Sequence, residues 1–338
     1  MKAIVNTAPG RLEMIELPTP RPGPGQVLIR TGACAICATD LVMIAGWERT
    51  GFPAIPGHEW SGTVAETGPG VDAALRPGRR CVAENVWSTG GEVGFEHPGG
   101  YAEYFVTEAA KVQVLPDDFP LATAALIEPL AVAVHGSSRL RILASNVSAP
   151  GTADGPILIF GDGTIGLLMT MVLASRPGGI TEGLPVLVGG REPRLALATE
   201  LGAARTLNYH HLSGDLAAAI LQETGERFGV IVEASGSVRA MEAALQVARP
   251  GARILVLGDH GQARAAFRWT DLLHGELELI GSNASAGAWP EAVRLAVDER
   301  LPLHRLVSHH FPADRFEDAI ALARDRAAGA IKIVLEWE

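Results

Sequence analysis

Cysteine is scarce: three residues in 338, Cys34, Cys37 and Cys81. An odd trio cannot build the disulfide framework of a small secreted domain, which points to a reducing, cytoplasmic setting. Charge is also sparse, at 20% of residues, with no block of one sign. The net charge of −10 disfavours nucleic acid or an anionic membrane surface as partner. The apolar stretch within the opening MKAIVNTAPG is too short for a signal-peptide core. One longer apolar run, from Ile157 to Ala174, reaches the ~18 residues of a minimal membrane span. Gly161-Asp162-Gly163-Thr164 interrupts it, and an aspartate at mid-span is costly in lipid, so strand, turn and helix explain it better. No period repeats and no low-complexity tract occurs, which excludes a solenoid.

What is present is a folded, soluble chain of two domains. Apolar residues make up 47%, enough for a sizeable core, and 338 residues suit two domains at ~150 residues each. Up to about residue 118, short apolar runs such as Val27-Leu28-Ile29 and Thr63-Val64-Ala65 alternate with Pro/Gly clusters. That punctuation predicts a barrel-like or sandwich-like β domain. From about residue 120 strands and helices alternate. The periodicity predicts strands at 156–160, 186–188, 230–232, 254–257 and 277–280, and helices at 194–201 and 238–248, the latter ended by Pro250-Gly251. A doubly wound parallel sheet follows from that order. Two further amphipathic helices, 291–298 and 316–326, and a strand at 331–335 close the chain.

Gly161-Asp162-Gly163-Thr164-Ile165-Gly166 reads GxGxxG, directly after one predicted strand and opening a helix. The glycines serve a tight turn, close backbone approach to a pyrophosphate and helix–sheet packing, with the helix N-terminus facing the anion. Gly161, Gly163, Thr164, Ile165 and Gly166 are therefore candidate cofactor contacts. The next strand ends in Gly189-Gly190-Arg191, without the carboxylate that would bind the 2′-hydroxyl of NAD; Glu192 comes after the arginine. Arg191, with Arg194, is the candidate partner of a 2′-phosphate, which favours NADP(H) over NAD(H). The plain alternative is a solvated surface arginine.

Three further segments carry metal-ligand chemistry: Gly32 to Asp40 with Cys34 and Cys37, Gly57-His58-Glu59, and Ile127-Glu128-Pro129-Leu130. A thiolate, an imidazole and one or two carboxylates form the donor set of a catalytic zinc that keeps a position open. Singly, each has a structural explanation as a buried thiol, a core histidine or a surface carboxylate.

Together these motifs resemble the zinc-dependent medium-chain dehydrogenase/reductase superfamily of alcohol, polyol and threonine dehydrogenases. The resemblance runs through Cys37-Ala38-Thr39-Asp40, Gly57-His58-Glu59, Gly99-Gly100-Tyr101-Ala102-Glu103-Tyr104, Glu128-Pro129-Leu130, the glycine turn and Lys332-Ile333-Val334. It implies an α/β protein: a GroES-like β-barrel-type catalytic domain at 1–122 and 284–338, and a Rossmann nucleotide-binding domain at 123–283. It also implies Cys37, His58, Glu59 and Glu128 as the metal set, with either glutamate as ligand. Asp40 is implied behind the histidine, and Thr39 as the hydroxyl passing the alcohol proton outward. Cys34 matches no ligand position.

Two departures stand out. Members with a structural zinc carry four cysteines before the GGYAEY-like segment, whereas Val82 to Pro98 has none. One catalytic zinc and no structural zinc are expected. Leu41-Val42 stand where many relatives have a histidine ending the proton relay; ribose hydroxyl with water, or His97, are the alternatives. The implied reaction interconverts a secondary alcohol, polyol or sugar-like, and its ketone. Trp47, Trp87 and Phe95 lie in segments expected to border the pocket. A homo-oligomer, dimer or tetramer, is implied by analogy. The rival readings are a zinc-free quinone or enone reductase of the same fold and a non-catalytic NADP(H)-binding protein.

Overall fold

A computed structural model describes residues 1–140, 155–175, 184–325 and 329–337. It divides into two compact units, Met1–Glu128 with Trp289–Glu338, and Pro129–Ala288. The sequence places these divisions a few residues earlier, after 122 and after 283.

The chain opens with a hairpin of β1 (Lys2–Ala8) and β2 (Arg11–Glu16). Then come β3 (Gln26–Ala35), the short helix α1 (Ala38–Ile44), β4 (Glu59–Thr67), β5 (Arg80–Ala83), β6 (Tyr104–Glu108) and β7 (Val112–Val114). Helix α2 (Ile127–Arg139) follows. The stretch Leu121–Arg139 is long and apolar enough to cross a membrane, yet 61% of its apolar window is buried inside the protein, as in a core helix.

The second unit alternates β8 (Ile157–Phe160), α3 (Thr164–Ala174), β9 (Val186–Gly189), α4 (Glu192–Glu200), β10 (Arg205–Asn208), α5 (Leu216–Thr224), β11 (Phe228–Glu233), α6 (Val238–Val247), β12 (Ala248–Val256), α7 (Trp269–His274) and β13 (Glu278–Gly281). Every described pairing in this sheet is parallel, and the order is β10-β9-β8-β11-β12-β13. Such a sheet is covered on both faces, which is why β8 and β11 are buried along their whole length. The order reverses between β8 and β11, where open α/β sheets bind their ligands. The run from Ile157 to Ala174 is thus strand, glycine turn and buried helix.

The chain then adds α8 (Trp289–Val297), β14 (Val307–Pro312), α9 (Phe316–Arg324) and β15 (Lys332–Glu336) to the first unit. There the sheet runs β14-β15-β3-β4-β5-β7, with β6 also paired to β3. Trp60 and Phe105 meet edge to face at 4.8 Å inside its core. Truncating an aromatic so buried costs about 3–5 kcal/mol.

Two expectations shift. Helix α4 begins at Glu192 rather than at Arg194, because Pro193 is pre-organised for a first turn. Pro250-Gly251 does not simply follow a helix: β12 starts at Ala248 and runs through both. The strand tolerates them because pairing jumps from Phe228↔Ala248 to Val230↔Arg253, leaving the proline outside the ladder. Of the helix expected at 316–326, residue 326 lies outside the described residues.

Candidate active site

The first site is a product of strand register. Antiparallel pairing of β3 with β4 sets Ala35 opposite Glu59 and Cys34 opposite Trp60. Residues just beyond one strand and just before the other, Cys37 and His58, therefore meet. Strand β15 pairs with the other side of β3, Val334 opposite Ala35, and Ile36 N–H donates to Ile333 C=O at 2.9 Å. That pairing delivers Lys332 to the same end.

The Cys37 thiol, a His58 ring nitrogen and a Glu59 carboxylate oxygen all lie within 4.8 Å of one another. Zinc bonds of about 2.0–2.3 Å would draw such donors in by roughly an ångström, so one thiolate, one imidazole and one carboxylate fit a single tetrahedral ion. Asp40 organises the set. Its Oδ2 accepts the Cys37 backbone N–H at 2.8 Å, closing the first turn of α1, while Oδ1 lies 3.2 Å from His58 Nδ1. With Nδ1 facing this carboxylate, Nε2 is the ring nitrogen available to a metal. Behind the ring, Asn85 Nδ2 donates to the His58 carbonyl at 2.8 Å and its Oδ1 accepts from Trp60 Nε1 at 3.0 Å. The Cys37 thiol donates to the Thr39 hydroxyl at 3.6 Å, placing that hydroxyl beside the donor set.

Burial alone would push the His58 imidazole down, but the Asp40 carboxylate and Cys37 outweigh it and hold it well above its usual value. Burial pushes the Glu128 carboxyl up to about 7; nearby His58 opposes the rise and Glu59 reinforces it. Glu128 thus shares the field of the site without joining the close trio of donors. Glu59 has another partner: Lys332 Nζ donates to both its carboxylate oxygens, in a pair almost wholly buried. Burial works against the Lys332 ammonium, yet Glu59 and Cys37 hold it above its ordinary value. Cys34 is fully buried, and burial, reinforced by Asp40, pushes its thiol well up, as expected of a packing residue.

The second site is the glycine turn. Gly161 has φ +111°, which favours glycine, and a Cβ there would meet the Ala234 carbonyl oxygen at 2.8 Å. At Gly166 a Cβ would strike the Gly161 carbonyl, so helix α3 packs against the turn only because that residue has none. Nothing lies within 4 Å of a Cβ at Gly163, so the backbone there is open to a pyrophosphate, with Thr164 and Ile165 beginning α3. Asp162 ties this turn to the tip of β9. Its Oδ2 accepts the backbone N–H groups of Gly190 and Arg191 at 3.0 and 2.8 Å, and its Oδ1 accepts Arg191 Nε at 3.1 Å and Nη2 at 2.5 Å. Burial opposes ionisation of Asp162, but Arg191 and these N–H groups hold its carboxyl below the usual range.

Arg191 is therefore docked rather than freely solvated. Its Nε/Nη2 edge is taken, while Nη1 has no partner among the described residues. Arg194 sits deeper, with Nη1 3.3 Å from the Asp162 carbonyl oxygen, and burial pushes its guanidinium down. A Cβ at Gly189 would meet the Asp162 side chain, and one at Gly190 would meet Tyr209. Glu192 accepts from Asn208 Nδ2 and lies 3.7 Å from His211.

Sequence reasoning assigned no role to Lys332, Asn85, Asp162 or Tyr209. Lys332 carried a signal as the cation before the apolar run Ile333 to Leu335 of β15, and Asp162 as the charge within the apolar run from Ile157 to Ala174.

Comparison with known proteins identifies the family. Residues 23–117 match the alcohol dehydrogenase GroES-like domain and residues 168–298 match the zinc-binding dehydrogenase domain. D-altritol 5-dehydrogenase of Agrobacterium fabrum is 30% identical, over 92% of this chain and 93% of its own. L-threonine 3-dehydrogenase of Chromobacterium violaceum is 29% identical over the whole of both chains. The structure of a zinc-binding dehydrogenase from Sinorhizobium meliloti bound to NADP superposes with a TM-score of 0.87 at 25% identity, covering 99% of this chain and 98% of that one. The chain belongs to the zinc-dependent medium-chain dehydrogenase/reductase superfamily.

Proposed function

We propose that this oxidoreductase interconverts a secondary alcohol of a polyol or sugar-like compound and its ketone, using one zinc and NADP(H). The observation that carries the reading is the meeting of Cys37, His58 and Glu59, with Asp40 joining the first two. Cys37 and His58 would hold the metal, with Glu59 or Glu128 as the carboxylate ligand. When bound, zinc supplies Lewis acidity to the substrate oxygen and the nicotinamide accepts hydride. Asp40 keeps the His58 ring in one orientation. The Thr39 hydroxyl, which both donates and accepts, carries the alcohol proton away. Glu128, poised near neutrality, adds a carboxylate beside the donors and favours a polyhydroxy substrate. The polyol dehydrogenase among the relatives supports that class.

NADP(H) is supported by the end of β9 itself, which reads Gly189-Gly190-Arg191 with no carboxylate of its own, and by Arg191 there with Nη1 to offer. The cysteine-free lobe before Gly99 supports a single zinc. A homo-oligomer is supported by the edge strand β13 and the exposed Trp269, Leu273 and Leu279 around it. Three free cysteines support a cytoplasmic location.

The test is a panel of polyols, sugars and simple secondary alcohols assayed with NADP⁺ and NAD⁺, alongside zinc content. Turnover of polyols with about one zinc per chain supports the proposal. Less than about half an equivalent of zinc, with quinone or enone reduction, favours the zinc-free reading. Failure across the whole panel leaves the binding-protein reading.

A further inference from the structure

The lobe from Val82 to Pro98 has no cysteine and hence no thiolate metal staple, yet its side chains are held in a defined network. Arg49, from the segment after α1, grips it. Its Nε donates to Glu96 Oε1 at 2.8 Å, and its Nη2 donates to Glu92 Oε1 at 2.7 Å and to Glu96 Oε2 at 3.1 Å. The guanidinium carbon also lies 4.5 Å from the Phe95 ring centroid and 5.6 Å from that of Trp47. Phe95 in turn rests on His58, with ring centroids 4.9 Å apart and planes 32° apart, and meets Trp47 edge to face at 6.3 Å. One guanidinium therefore touches the Glu92 and Glu96 carboxylates and two aromatic rings, and one of those rings, Phe95, lies against the imidazole whose Nδ1 faces Asp40.

We infer that Arg49 is a positioning residue for the reaction: by clamping Glu92 and Glu96 it presses Phe95 onto His58 and fixes the Trp47–Phe95 wall that meets the alcohol. The inference rests on the proposed role of His58 as metal ligand. Arginine suits the task because its planar fork reaches two carboxylates while its face lies on an aromatic ring; a lysine ammonium cannot do both. Arg49 holds the Glu96 carboxyl below the usual range, and Glu96 and Glu92 hold Arg49 firmly charged. All three side chains remain about one-third exposed, 32%, 26% and 36% for Arg49, Glu92 and Glu96. The clamp is therefore accessible to salt screening, unlike the buried Lys332–Glu59 pair.

The experiment compares wild type, Arg49→Ala, Arg49→Lys and Glu96→Gln as zinc-loaded holoenzymes. It reads zinc loss to a chelator, KM for the alcohol and KM for the cofactor, at low and high NaCl. Arg49→Ala is expected to lose zinc about tenfold faster and to raise the alcohol KM about fivefold, with cofactor KM within about twofold. Arg49→Lys should recover less than half of the effect. About 1 M NaCl should move wild type toward Arg49→Ala and leave that variant where it is. Glu96→Gln should show the same pattern in milder form, which keeps the test alive if Arg49→Ala folds poorly. Unchanged zinc loss and alcohol KM would overturn the inference. So would equal rises in alcohol and cofactor KM accompanied by a fall in melting temperature, the mark of general loosening. His58→Ala separates the two claims: full zinc retention there sinks the metal reading and this inference with it, whereas zinc loss there beside unaltered Arg49 variants sinks this inference alone.

Discussion

Asp40 Oδ1 lies 3.2 Å from His58 Nδ1, while the other oxygen of the same carboxylate accepts the backbone N–H of Cys37. One side chain thereby fixes the spacing of two donors 21 positions apart in sequence, one at a helix start and one before a strand. Asp40→Asn keeps an oxygen for the Cys37 N–H and removes the charge that faces His58. Zinc affinity, measured by competition with a chelator, should fall about 10–100-fold. An unchanged affinity would show that the histidine needs no such support.

Metal loading should expel protons. In the metal-free protein the Asp40 carboxylate and Cys37 hold the His58 imidazole well above its usual value despite burial, which favours its protonated form. A metal needs that nitrogen bare and the thiol ionised. Zinc affinity should therefore rise with pH, and calorimetric heats at pH 7 should vary with the buffer's ionisation enthalpy. Heats independent of buffer would contradict this.

Glu128 makes a stability prediction of definite sign. Its carboxyl is pushed from 4.5 up to about 7 in the folded protein, so the folded state binds more protons than the unfolded state between these values. The stability it contributes is present at low pH and lost as pH rises through that window. In zinc-free protein, Glu128→Gln should raise the melting temperature at pH 8 by about 2–4 °C and barely move it at pH 4.5. An equal shift at both pH values would place the carboxyl in a different environment.

The proposed preference for NADP(H) turns on Arg191. Its Nε/Nη2 edge is engaged by Asp162, so a 2′-phosphate would meet Nη1 on an already oriented guanidinium. Arg191→Ala should weaken NADP⁺ binding about 10–100-fold, the worth of a charge-assisted hydrogen bond, and leave NAD⁺ within about threefold. Parallel losses for both cofactors would assign Arg191 to holding the turn rather than to reading the phosphate.

The fold was legible because its signals are local. GxGxxG between β8 and α3 requires glycine at Gly161 and Gly166 for steric reasons visible in any sequence, and the alternation around it dictates the parallel sheet. The ligand candidates were legible as residue types in separate motifs, and β3–β4 register is what unites them. What escaped the sequence was pairing at long range. Lys332 reaches Glu59 across 273 positions, and Asp162 reaches Arg191 across 29. Neither spacing has a helical or strand period, so no pattern announces it. The early start of β12 escaped for a different reason: a strand was expected only from 254, because Pro250-Gly251 reads as a stop, and the jump in its pairing with β11 shows how the strand accommodates both.

The most direct test of the metal centre is X-ray absorption at the zinc edge of the loaded, cofactor-free protein, with Cys37→Ser beside it. Wild type should show one sulfur at about 2.3 Å and the remaining ligands as nitrogen or oxygen at about 2.0–2.2 Å, and the variant should lose the sulfur or the metal altogether. A wild-type zinc with no sulfur, or with two, would contradict a centre built on Cys37 and His58.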